Sequence, residues 1–125
     1  MAGIVAIPQK TLSKIMRFVR DEVARLKREL ARIDKEIAFL EKGYGIPSTS
    51  FLEMLQGGRK WSLPEGSEPD VVEWEALLEQ RRRIEKKLKE LEELWRQLQG
   101  YSKYRESSRR GLELRNADST LRNTE

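Results

Sequence analysis

Neither cysteine nor histidine occurs in this chain. Their absence removes thiol chemistry, disulfide staples, zinc sites of the usual kind and the commonest general base together. Long apolar runs are missing as well. The run at the start, Gly3–Ile7, ends at Pro8, far short of the ~18 residues of a membrane span and without the basic leader of a signal peptide. With no thiols to protect, the chain reads as a soluble cytoplasmic protein. Proline and glycine are few, and neither falls within residues 9–42 or 70–99. Those two stretches therefore contain nothing that breaks a helix.

What is abundant is charge. Asp, Glu, Lys and Arg make up 37% of the 125 residues against 38% hydrophobic, and the mean hydropathy is −0.73. This is the composition of long helices or coiled coils, in a chain long enough for one domain. The 25 basic and 21 acidic residues give a net charge of +4. Residues 10–42 carry ten basic and six acidic groups, residues 68–99 seven and nine, and residues 100–125 six and four. The basic excess thus sits in the first stretch and in the tail.

Periodicity turns both stretches into helices. Met16, Val19, Val23, Leu26, Leu30, Ile33, Ile37, Leu40 and Tyr44 follow at alternating steps of three and four, with Leu12 one turn earlier. Thr11 or Ser13 suits the cap, unless Gln9–Lys10 is already helical. The pattern resumes with Trp74, Leu77, Arg81, Ile84, Leu88, Leu91, Trp95 and Leu98, between a capping Asp70 and Gly100. A 3.5-residue period held this long predicts a supercoiled pair. The expected fold is all-α: an antiparallel two-helix coiled-coil hairpin over residues 10–99, with helices 10–42 and 70–99. Arg81 is the one charge on the seam; it either reaches Asp34 or Glu36 or runs its stem out to water. A short β-prone segment, residues 1–9, precedes the hairpin, and a mostly disordered polar tail, residues 100–125, follows it.

The connector, residues 43–69, is the hairpin tip. A helix joint needs about 2–8 residues, so this one holds something more. Ser48 or Thr49 after Pro47 is placed to cap a short helix, Ser50–Gln56, which Gly57–Gly58 ends. Gly45 supplies a positive φ to leave the first helix. Phe51 and Leu55 are expected against Trp74 with Tyr44 below, forming a small helical cap. From Arg59 to Pro69 the chain reads as loop.

Catalysis finds no foothold. The acidic groups Glu73/Glu75/Glu79 and Glu90/Glu92/Glu93 lack partners for acid–base or metal work and read as solvated faces; Ser48, Thr49 and Ser50 have no base beside them. No cofactor is called for. Arg81–Arg83 with Lys86, Lys87 and Lys89 interleave with Glu85 and Glu90 and read as an ion-paired face. The tail residues Lys103, Arg105, Arg109 and Arg110, with Tyr101 and Tyr104, are the candidate phosphate contacts. The start IVAIPQKTLSKI resembles the strand-then-helix opening of ribbon–helix–helix repressors, although this helix runs on for several heptads and the strand carries no basic residue.

Tyr44-Gly45-Ile46, Ser48 to Phe51, Gly57-Gly58, Asp70 and Glu73-Trp74 with Leu77 together resemble a group of small prokaryotic, often archaeal, coiled-coil proteins of the antitoxin kind from toxin–antitoxin gene pairs. That group tends to be acidic where this chain has Arg59-Lys60-Trp61-Ser62-Leu63-Pro64. The resemblance implies a non-enzymatic protein that binds, and neutralises, a protein partner such as a toxin. The residues assigned to partner binding are Phe51, Met54, Arg59, Lys60 and Trp61 at the tip and Leu78 and Leu94 on an apolar stripe that also predicts a homodimer. The alternative is a DNA- or RNA-associated regulator acting through the N-terminal strand or the basic tail.

Overall fold

A computed structural model describes the backbone of residues 7–124 and the side chains of residues 7–102. It holds three helices, α1 (Gln9–Tyr44), α2 (Ser48–Leu55) and α3 (Glu68–Thr124), with no strand among the described residues. Helices α1 and α3 pack on one another. The heptad positions Leu12, Val19, Leu26, Ile33 and Leu40 are all buried, whereas Met16, Val23, Leu30 and Tyr44 of the other row are half-buried and only Ile37 is fully inside. One row of the seam meets the partner helix squarely; the second stays at its margin.

The chain divides into two compact units, Val23–Lys89 and the outer stretches Met1–Glu22 with Glu90–Glu125. In the outer unit Leu12, Val19 and Leu98 are buried, and the Ile7 amide donates to the Tyr101 hydroxyl at 2.8 Å. Among the described residues the inner unit holds most of the core: Leu26, Ile33, Ile37 and Leu40 of α1, Phe51 and Met54 of α2, Leu63 of the connector, and Trp74, Leu77, Leu78, Ile84 and Leu88 of α3. Its contacts run in opposite order along the two helices. Tyr44 meets Asp70 and Trp74, while Asp34 meets Arg81 at 3.6 Å. Arg81 also lies 3.8 Å from Glu85 and remains about a third exposed, so it both reaches across and keeps its guanidinium in water.

Several expected boundaries move. Of the extended segment 1–9, residues 1–6 lie outside the described residues, Ile7 and Pro8 have no regular structure, and Gln9 is already helical. The Pro8 carbonyl accepts the Leu12 amide at 2.9 Å, so the first turn begins ahead of Thr11 and Ser13 and needs neither as a cap. At the other end the α3 backbone passes Gly100 and continues to Thr124, where the sequence predicts a mostly disordered tail. A glycine inside a helix costs only about 1 kcal/mol relative to alanine. Among the described residues no helix is long and apolar enough to cross a membrane.

Candidate interaction surface

The segment between α1 and α3 is built around Trp74. Its indole is wholly buried, stacked on Phe51 (centroids 4.1 Å apart, planes 3° apart) and on Tyr44 (5.9 Å, 25°). The indole Nε1–H donates to the Ser48 hydroxyl at 3.0 Å, which satisfies the one polar atom this ring brings inside. Ser48 or Thr49 is the cap the sequence predicts, and neither holds that position. Pro47 holds the N-cap position and makes no side-chain bond there. The free amide of Ser48 is instead taken by the Glu41 carboxylate of α1 at 2.7 Å, so α1 supplies the anion that the start of α2 favours. The helix runs Ser48–Leu55, two residues earlier than the sequence reading at its start.

Glycine shapes both exits. At Gly45 φ is +69°, and the Ile46 amide reaches back to the Glu41 carbonyl at 3.2 Å. At Gly57 φ is +78°, and Gly58 bonds to the Glu53 carbonyl at 2.9 Å while Gly57 bonds to Met54 at 3.2 Å. Gly57 completes the Schellman pattern, whereas at Gly45 the glycine amide also bonds the Glu41 carbonyl, at 2.8 Å; each closes its helix through a left-handed residue. Beyond Gly58 the loop is tied down at two points: Arg59 donates to the Ser50 hydroxyl at 2.9 Å, and the Ser62 hydroxyl lies 3.6 Å from the Met54 sulfur. Leu63 turns inward, and Ser67 closes the turn on the Pro64 carbonyl.

On this frame Trp61 is 47% exposed, flanked by the exposed Arg59 and Lys60. The structure therefore divides the residues assigned to partner binding. Arg59, Lys60 and Trp61 lie together at the surface; Leu94 is exposed on α3; Phe51, Met54 and Leu78 are buried. Those three form part of the core, Phe51 by stacking on Trp74. The side chains of Lys103, Arg105, Arg109 and Arg110 lie outside the described residues.

A feature the sequence reading passed over lies beside Tyr44. An open groove of about 460 Å³ is walled on α1 by Phe39, Leu40, Gly43 and Tyr44, with Lys35 and Glu36 at its far end, and on α3 by Asp70 and Glu73. Phe39 is 78% exposed. The Tyr44 hydroxyl donates to the Asp70 carboxylate at 2.5 Å, and that bond raises the phenol above its usual value near 10, while a hydrogen bond with Ser67 acts in the opposite direction. The signal in the sequence was Phe39 itself, an aromatic ring off the apolar period of α1. Elsewhere on α3 the Glu79 carboxyl is held below the ordinary carboxylate range, chiefly by the Arg82 guanidinium and further by Arg83. Among the described residues no group of three or more side chains is arranged to hold a metal ion. Compared with protein-family models, curated proteins and solved structures, the chain matches none of them.

Proposed function

We propose that the chain is a non-enzymatic protein-binding module that presents Arg59, Lys60 and Trp61 to a protein partner. One observation carries this reading. In a segment where Phe51, Met54, Leu63 and Trp74 are all packed away, Trp61 stays half in water on a loop anchored to α2. An anchored loop loses little freedom on binding, and Trp beside Arg is the composition of interface hot spots. The lack of histidine and cysteine supports a role without catalysis.

In this reading α1 and α3 form an antiparallel coiled-coil hairpin with the connector at its tip. The inverse order of the Tyr44–Asp70 and Asp34–Arg81 contacts supports that arrangement. The exposed Leu94 of α3 supports homodimerisation. The resemblance to antitoxin-type proteins extends the proposal to a prokaryotic cytoplasmic partner of a toxin, with the basic stretch 59–64 as the part adapted to its own partner.

The test compares two alanine variants. Trp61→Ala should leave the melting temperature nearly unchanged and weaken co-purification of the partner from the native cells. Phe51→Ala should lower the melting temperature. If Trp61→Ala melts as early as Phe51→Ala and still retains the partner, the segment is a lid and the proposal fails.

A further inference from the structure

The groove beside Tyr44 has a chemistry of its own. One wall includes an aromatic ring, Phe39, left largely in water. The opposite wall carries two carboxylates, Asp70 and Glu73, one helical turn apart and so side by side on α3. Neither has an ion-pair partner among the described residues; Asp70 is held in place by the Tyr44 hydroxyl. The groove's only cation, Lys35, stands at the far end with Glu36, which is already paired to Arg32 at 2.9 Å. In a chain of net charge +4, this end of the groove is negative.

We propose that the groove binds an arginine side chain projecting from a segment of a protein partner. A guanidinium is flat and weakly hydrated. It stacks on an aromatic face and directs N–H groups toward carboxylates at its edge. An anionic group is repelled here, and a purely apolar side chain would strip water from Asp70 and Glu73 without returning a hydrogen bond. Gly43 makes the space available: a Cβ placed there meets nothing within 4 Å. The inference rests on the reading of the chain as a protein-binding module, yet it uses none of the Arg59–Trp61 face.

The experiment is an amide chemical-shift titration of the full chain with the capped peptide Ala-Leu-Arg-Leu-Ala and with the same peptide carrying Lys or Glu in place of Arg. The Arg peptide should shift the amides of Phe39, Gly43, Tyr44, Asp70 and Glu73 saturably, with a dissociation constant of about 1 mM, as suits one anchored side chain. The Lys peptide should bind several-fold more weakly and the Glu peptide not at all. Gly43→Leu fills the groove from a helical position with room for it, so it should fold and lose the response. Glu73→Gln should weaken the response at least about threefold, since it removes one charge–charge contact. Trp61→Ala should leave it unchanged, which separates failure of the loop face from failure of the groove. Equal responses to the Arg and Glu peptides, or undiminished binding by folded Gly43→Leu, overturn the proposal. So does a concentration-dependent shift of the same amides without peptide, which makes a second copy of the chain the occupant.

Discussion

At the scale of single residues, the bond between the Trp74 indole and the Ser48 hydroxyl shows how one buried contact sets two costs. Ser48→Ala removes few atoms but leaves a buried N–H without an acceptor, so it should cost about 1–3 kcal/mol in urea unfolding. Phe51→Ala opens a cavity against the same ring and should cost about 3 kcal/mol or more. Tyr44 adds a dependence on pH. Its phenol titrates above its usual value in the folded chain because the Asp70 carboxylate opposes its ionisation. The stability it contributes is therefore complete below pH ~10, the unfolded value, and is lost as the pH rises through the raised value. Melting curves taken across that alkaline range should fall more steeply for the natural chain than for Tyr44→Phe. That Phe51 and Tyr44 meet Trp74 was readable from the pattern of apolar residues, but that Ser48 is an acceptor rather than a cap depends on where α3 places an indole.

Helices and their ends form the next scale, and here sequence and structure agree where the chain speaks locally. Gly45 and Gly57 were legible as exits because only a residue without Cβ enters the left-handed region freely, and both have positive φ. Substituting either by Ala should cost about 1 kcal/mol or somewhat more, read from thermal melting. Gly43→Ala, in a helical position with open space around it, should instead stabilise by about 0.5–1 kcal/mol. The local signals failed where a distant group took over. Glu41 caps α2 from the preceding helix, which no capping motif within α2 announces. Gly100 resembles a terminator, yet α3 continues beyond it, because the same residue is a stop only when the following chain turns away. Phe39 was invisible to a search for periodic apolar positions, since its interest lies in being off the period.

Over the whole molecule, the uneven distribution of core among the two units has a measurable outcome. Among the described residues Val23–Lys89 contains the aromatic stack and most of the buried aliphatic side chains, whereas the outer unit shows Leu12, Val19 and Leu98. Native-state hydrogen exchange should thus report slower opening for amides of Ile33–Leu40 and Trp74–Leu88 than for those of Leu12–Val19. Charge makes the second whole-molecule prediction. Its excess of +4 is spread among mixed signs, so any association with DNA through the described surface should be indifferent to sequence and should vanish by ~0.2 M salt in a fluorescence titration.

The three tryptophans turn this architecture into an optical instrument. Trp74 is sealed, Trp95 half-covered and Trp61 open to solvent. Iodide, a charged quencher that cannot enter a packed interior, should extinguish chiefly the red-shifted emission of Trp61, and Trp61→Ala should abolish most of that quenchable fraction. A partner seated on the loop should protect the same fraction while the blue emission of Trp74 stays constant, so the natural chain, without any attached dye, carries both a reporter of docking and an internal reference for the integrity of its fold.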